Sequence, residues 1–134
     1  MNSFEGNIVK VETSGPLSMA TVALGGGIEL TAIVIETPES ASYLREGGAV
    51  SVLFKETEVI LATGPSREVG IENRIPGTVR SIEAGPLLSK VSLETASGGL
   101  EAVVSSKALA SLGIDRGDQA VALVKINEVM LLAQ

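Results

Sequence analysis

The chain of 134 residues contains one internal duplication, and this feature limits the possible fold more than any other. Gly6–Glu12 matches Gly77–Glu83 at a distance of 71 residues, and Lys55–Leu61 matches Lys125–Leu131 at a distance of 70. A single residue lost or gained at the glycine-rich stretch Gly25–Gly27 explains the shift, because hairpin loops tolerate such changes well. The chain is therefore two copies of one small unit in tandem.

Each copy shows the same succession of strand, Gly-Pro turn, strand, glycine-rich hairpin, strand, short helix, strand, turn and strand. The strands are marked by β-branched residues. In the first copy Thr37 is predicted to cap a helix with Pro38 at its first position. In the second copy Ser106 is predicted to cap Lys107–Leu112, with Gly113 as the stop.

Five strands with one helix between the third and the fourth is the order of an OB-type barrel. We therefore predict an all-β protein of two tandem OB-like five-stranded barrels, each with one short helix. The first module is predicted over residues 1–63, the linker over 64–72 and the second module over 73–134.

Two modules of about 65 residues lie near the lower size limit for independent folding. The chain has no cysteine and no histidine, so disulfides and the usual zinc ligands cannot stabilise them. Because 45% of the residues are hydrophobic, we expect apolar surface to be buried between subunits of an oligomer. No apolar run reaches the roughly 18 residues of a membrane span, and no signal peptide is visible, which predicts a cytoplasmic protein without membrane contact.

The residue content argues against enzymes and nucleic-acid binders. Histidine and cysteine are absent, and no P-loop, Gly-x-Ser-x-Gly or Gly-x-Gly-x-x-Gly motif precedes a helix. Recurring acids, such as Glu58 and Glu128, are interpreted as solvated turn residues, and the glycine runs as hairpins. A net charge of −6 and 2% aromatic residues leave neither the basic groove nor the stacking platforms that single strands need. We predict no catalytic residues and no nucleic-acid contact.

One chemically unusual feature recurs: a lysine closes the fourth strand of each copy, at Lys55 and at Lys125. A lysine at a strand end is usually only solvated. Its return at the same position of two diverged copies, and the hydroxyl groups of Ser105 and Ser106 after the third strand, favour a functional role.

Several motifs together resemble the Mop, or TOBE-type, module. These are an Asn-x-Φ-x-Gly opening at Asn2–Gly6 and Asn73–Gly77, the Leu-Gly-Ile-Asp-Arg-Gly stretch at Leu112–Gly117, and the two lysines, each followed three residues later by an acid and Val. The resemblance covers nearly the whole chain, and the duplication corresponds to a di-Mop arrangement.

The resemblance implies a cytoplasmic binder of molybdate or tungstate, without an organic cofactor and without a metal ligated directly by side chains. It implies sites between barrels and a homo-oligomer, with a trimer favoured and a dimer possible. The arginine that often precedes the family's opening asparagine is absent, so backbone N–H groups would carry more of the binding. Carried over by position, the predicted oxyanion-binding residues are Lys55, Lys125, Ser105, Ser106, Met1, Asn2, Ser3, Ile71, Glu72, Asn73 and Arg74.

Two other interpretations remain open. The first is the ligand-sensing effector domain of a molybdate-responsive transcription regulator, although the chain contains no helix-turn-helix. The second is a partner-binding regulatory module of the kind appended to transporter ATPases. Binding of molybdate or tungstate agrees with a lysine, hydroxyl and backbone donor set, because a fully deprotonated dianion can only accept hydrogen bonds. Storage or homeostasis is the predicted role.

Overall fold

The computed structural model describes residues 1–64 and 69–134, and its secondary structure is almost entirely β. Ten strands follow the predicted order, five from each copy, and one α-helix lies between the third and fourth strands of the second copy. They are β1 Asn2–Ser14, β2 Leu17–Leu24, β3 Glu29–Val34, β4 Ala49–Phe54, β5 Ile60–Ala62, β6 Asn73–Glu83, β7 Leu88–Thr95, β8 Gly98–Ser105, α1 Ser106–Leu112, β9 Gln119–Val124 and β10 Met130–Ala133. The predicted all-β fold class is confirmed.

The strands form two five-stranded antiparallel sheets that exchange their last strands. The first sheet has the order β10-β4-β1-β2-β3 and the second the order β5-β9-β6-β7-β8. Strand β10 of the second copy thus pairs with β4 of the first, at Met130 opposite Leu53, and β5 of the first copy pairs with β9, at Ile60 opposite Leu123. Each sheet is completed by the other copy, an arrangement that the sequence repeat does not reveal.

The two copies bend at equivalent points of their first strands. The β1–β2 register shifts between Ile8 and Lys10, and the β6–β7 register shifts between Val79 and Ser81. A bulge of this kind bends a strand and raises its twist, which lets a long strand serve two sides of a small barrel. Edge strands β5 and β8 approach each other, as do β3 and β10.

The cores of both sheets belong to one hydrophobic cluster. Its largest fully buried side chains include Phe54 and Leu30 in the first sheet and Ile75 and Leu100 in the second. Each contributes roughly 1.5–3 kcal/mol to the free energy of folding through burial. Because the exchanged strands carry core residues across, neither repeat retains a complete core alone.

The prediction of one helix per module is wrong for the first copy. There the N–H of Ala41 reaches the carbonyl of Thr37 for a single turn, and the helix does not continue. The hydroxyl of Ser40 contacts both the N–H and the carbonyl of Thr37, at 3.0 and 3.2 Å. A serine side chain that bonds to nearby backbone groups competes with helix hydrogen bonding, which accounts for the difference.

In the second copy the helix is present, but its cap is one residue earlier than predicted. Ser105 is the N-cap, and its hydroxyl accepts from the N–H of Ala108 at 3.0 Å. Gly113 ends the helix in the left-handed conformation, as predicted. The module limits 1–63 and 73–134 stay predictions, because they describe the sequence repeat and not the two sheets. The predicted linker 64–72 lies partly outside the described residues. Within the described ranges, no helix is long and apolar enough to cross a membrane.

Candidate functional site

Lys125 and the segment that precedes Asn73 lie together at one end of the second sheet. Asn73 pairs with Val124 in the β6–β9 ladder, so the residues before Asn73 run beside Lys125. A cavity of about 220 Å³ is lined there by Gly70, Ile71, Glu72, Lys125 and Ile126. This volume exceeds that of several water molecules at ~30 Å³ each, so a small oxyanion fits. The structure thus brings together three of the predicted site residues.

The first copy repeats this arrangement around Lys55. Asn2 pairs with Phe54, which places Met1 beside Lys55. The Met1 ammonium group donates to the carboxylate of Glu56, and this hydrogen bond is the main reason why the pKa of Glu56 is lowered. Ser3 faces away from the barrel core, opposite Leu53. The residue after the lysine is therefore the acidic Glu56 beside Met1 in the first copy, whereas the equivalent residue in the second copy is Ile126.

The side chains of Asn2 and Asn73 are engaged in contacts between the copies. Asn73 donates to the carbonyl of Thr31 at 2.8 Å and accepts from its N–H at 2.7 Å. Asn2 makes the same pair of bonds with the backbone of Glu101, both at 2.8 Å. Each asparagine opens one copy and binds the third strand of the other. Both amides are therefore occupied within the chain, and a contact of Asn2 or Asn73 with an oxyanion stays a prediction.

Two other predicted ligands also have internal partners. The guanidinium of Arg74 donates to the carbonyls of Ile71 at 3.0 Å and Val69 at 2.5 Å, and so holds the segment next to Lys125 in place. The hydroxyl of Ser106 donates to the carbonyl of Gly85 at 2.6 Å and lies 2.7 Å from the hydroxyl of Ser89. Both residues organise their neighbourhood, and their direct contact with an oxyanion stays a prediction.

Ser105 lies on the side of Lys55 and not with the lysine of its own copy. A cavity of about 420 Å³ is lined by Ser105, Val103 and Thr57, which is two residues beyond Lys55. On the opposite side, the N–H of Ile33 in β3 donates to the carbonyl of Ile126 at 3.1 Å, directly after Lys125. The third strand of each copy thus borders the lysine turn of the other, which comprises Lys55–Glu58 in the first copy and Lys125–Glu128 in the second. Sequence reasoning missed Thr57, because nothing in the sequence signals the strand exchange.

Glu58 and Glu128 meet where the two lysine turns face each other. A hydrogen bond between the side chains, which forms only when one of the two carboxyl groups holds a proton, is the main reason why both pKa values are shifted. The bond and the negative charge of Glu58 raise the pKa of Glu128. The same bond, together with the N–H of Lys55 at 3.0 Å, lowers the pKa of Glu58. Both acids lie in turns, as the solvated-turn interpretation expects, but both are partly buried, and that interpretation did not foresee their contact.

Large apolar side chains remain on the surface of the chain. Ile35 is 81% exposed, Leu87 80% and Leu132 58%.

Among the described residues, no group of three or more acidic, histidine or cysteine side chains is arranged to hold a metal ion.

Comparison with known proteins gives a consistent picture. The model of the TOBE domain matches twice, over residues 1–61 and 70–131. The structure is similar to a molybdate-bound crystal form of the cytoplasmic molybdate-binding protein ModG, with a TM-score of 0.92, 30% sequence identity, and coverage of 99% of this chain and 96% of that chain.

Two sequence relatives extend beyond the matched region. One is the molybdenum transport protein ModE of Herbaspirillum seropedicae, 29% identical over 99% of this chain and 50% of the relative. The other is the molybdenum-pterin-binding protein MopB of Rhodobacter capsulatus, 26% identical over 97% of this chain and 49% of the relative. The chain spans about half the length of these curated relatives.

Proposed function

This chain belongs to the TOBE-domain family, and from that premise we propose that it binds a tetrahedral metal oxyanion, molybdate or tungstate, for intracellular storage or homeostasis. The observation that carries the proposal is the near full-length similarity to ModG, which was crystallised with molybdate bound. The lysine turn of each copy beside an opening segment agrees with it.

The chemistry of the site suits a dianion that carries no proton. Lys125 supplies a positive charge at the cavity lined by Gly70, Ile71 and Glu72. The N–H of Ile71 donates to the carbonyl of Val69 at 2.8 Å, so the proposed backbone donors of this segment are the N–H groups of Gly70 and Glu72. Charge-assisted hydrogen bonds are about twice as strong as neutral ones, so the lysine should dominate the affinity. The proposed lysine and backbone contacts are all donors, which favours molybdate and tungstate over hydrogen phosphate, although the carboxylate of Glu72 also lines the cavity.

An oligomer completes the proposal. Ile35, Leu87 and Leu132 are more than half exposed, and leaving such side chains in water forgoes about 25 cal/mol for each Å² of apolar surface. Monomers rarely expose large apolar patches. We propose that copies of this chain bury these residues against one another, as a trimer or dimer, and that the oxyanion is held without chemical conversion.

A second role is favoured by the length of the relatives. Because ModE and MopB are about twice as long as the matched region, a pair of such modules can also serve as the ligand-binding half of a larger protein. Oxyanion binding is common to both roles. Mass spectrometry of the natural protein purified from its own cells distinguishes them, since a larger chain or a firmly bound partner supports the second role.

Calorimetric titration with molybdate, tungstate, sulfate and phosphate tests the proposal, together with the mass of the protein by light scattering. Molybdate and tungstate are expected to bind, phosphate is not, and the mass is expected to exceed that of one chain. No heat with any of the four anions would refute the proposal.

Single substitutions locate the site. Lys55→Ala is expected to weaken molybdate binding more than Ser105→Ala on the same side of the molecule, because a charged donor contributes roughly 1.5–3 kcal/mol and a neutral one roughly 0.5–1.5 kcal/mol. Lys10→Ala is the matched control, since Lys10 lies far along β1 and pairs with Glu12 at 3.0 Å. The reverse order of effects would mean that the site lies elsewhere.

A further inference from the structure

We propose that Lys90 is an additional oxyanion-binding residue on the Lys55 side of the molecule, so that the two lysine-centred sites of the chain are unequal. The proposal rests on the proposed function, because it names a further contact of the same ligand. It follows from the strand exchange and from one difference between the copies.

The register of β7 and β8 places Lys90 beside the Lys55 turn. Lys90 stands opposite Val103 in the ladder, on the outer face of the sheet. Val103 also lines the 420 Å³ cavity that contains Thr57 and Ser105. Lys90 and Val103 themselves border an adjoining cavity of about 320 Å³. The ammonium group of Lys90 can therefore reach the region in front of Lys55 from the neighbouring copy.

The positive charge of Lys90 acts on Glu56 in the Lys55 turn. The pKa of Glu56 is lowered mainly by its hydrogen bond from the Met1 ammonium group, and the positive charge of Lys90 lowers it further. In the described part of the chain, Lys90 makes no ion pair within 4.0 Å. Glu83 stands opposite Lys90 in the β6–β7 ladder and lines the same cavity, but no carboxylate of the described residues lies within 4.0 Å of the Lys90 ammonium group, which leaves it available to a dianion from solvent.

The other side of the molecule lacks this group. Met19, 71 residues before Lys90, occupies the equivalent position and stands opposite Ile33 in the β2–β3 ladder. Ile33 donates its N–H to Ile126, directly after Lys125. The pair Met19 and Ile33 thus borders the Lys125 turn as Lys90 and Val103 border the Lys55 turn. Among the described residues, two lysines and the hydroxyl groups of the 420 Å³ cavity come together on the Lys55 side and not on the Lys125 side.

The test is molybdate titration of Lys90→Met, which installs the residue of the first copy, in a Lys125→Ala background that leaves the Lys55 side to be read alone. We expect molybdate binding about 3- to 10-fold weaker than in Lys125→Ala itself, with a smaller difference at high salt, as for one exposed charge that acts through solvent. Lys90→Arg should retain binding. Lys10→Met, with the same loss of charge far along β1, should leave it unchanged.

The reciprocal substitution Met19→Lys, made in a Lys55→Ala background, should strengthen binding on the Lys125 side. Unchanged affinity in Lys90→Met, with circular dichroism showing a folded protein, would overturn the role of Lys90 while leaving the proposed function intact. Unchanged affinity in Met19→Lys would overturn the inequality of the sites. If the protein of natural sequence binds no oxyanion at all, the proposed function itself is refuted.

Discussion

Asn73→Asp tests whether the opening asparagines hold the two copies together. Asn73 is only 1% exposed, and its amide both donates to the carbonyl of Thr31 and accepts from its N–H. A carboxylate has the same shape and still accepts, but it cannot donate. The carbonyl of Thr31 then faces an oxygen, and the negative charge is buried against backbone groups of Thr31 and not against a cation.

The magnitude is bounded from two sides. An unsatisfied buried acceptor costs about 1–3 kcal/mol of the free energy of unfolding. Alternatively, the introduced carboxyl group keeps a proton and donates it, which at pH 7 costs at most about 4 kcal/mol for a group with an unfolded pKa of about 3.9. We expect a loss of about 2–4 kcal/mol at pH 7, or about 3–5 °C in Tm for each kcal/mol in a chain of this size.

The pH dependence identifies the mechanism. Because the folded state raises the pKa of the introduced carboxyl group, its neutral form restores the donor at low pH, and the loss grows as pH rises above about 4. Thermal melts followed by circular dichroism at pH 4 and pH 7 measure this. Asn7→Asp is the control, since Asn7 is exposed and its hydrogen bond to Gly47 is 3.4 Å long. Equal losses in both variants at pH 7 would refute the reasoning.

Three further predictions address other contacts between the copies. Gly26→Ala should lose about 2–4 kcal/mol of stability and Gly27→Ala only about 1–2 kcal/mol. Both glycines have a positive φ, but at Gly26 a Cβ would also lie 2.2 Å from a carbonyl oxygen of the opposing hairpin. Similar urea midpoints for the two variants would contradict this. Glu128→Gln should have a higher Tm than the natural sequence, by more at pH 7 than at pH 4. The reason is that contact with Glu58 raises the pKa of Glu128, so the ionised Glu128 destabilises the folded state as pH rises. A pH-independent difference in Tm would exclude that contact. Residues 70–134 expressed alone should sediment as a dimer that exchanges β10, and a stable folded monomer would show that exchange is dispensable.

Much of the fold follows from the sequence because its signals are local. Glycine-marked turns and β-branched runs identify the ten strands, and the duplicated spacing confirms each strand against its counterpart. The first-copy helix fails for an equally local reason, since the Ser40 hydroxyl occupies the backbone groups of Thr37. Adjacent serines made the second-copy cap ambiguous. Only tertiary contact with Gly85 decides that Ser106 turns inward and leaves Ser105 to cap.

The candidate site is less predictable, because it depends on which copy completes which sheet. Strands β5 and β10 occupy equivalent repeat positions, so a local pattern assigns either of them to either sheet. The lysines were found from their recurrence. Ser105 was recognised as a hydroxyl donor but assigned without its neighbour Thr57, and Lys90 carries no signal until the β7–β8 register places it.

The exchange of β5 and β10 gives this chain the topology of a fused dimer. A single-copy ancestor could form the same two sheets from two separate molecules, each lending its last strand to the other. Once both copies are encoded in one gene, their equivalent positions are free to diverge while the shared architecture is kept. A difference between equivalent positions, as between Met19 and Lys90, is one that a symmetric pair of identical chains cannot have. Fusion thus converts a symmetric binder into one whose two sides can be tuned separately.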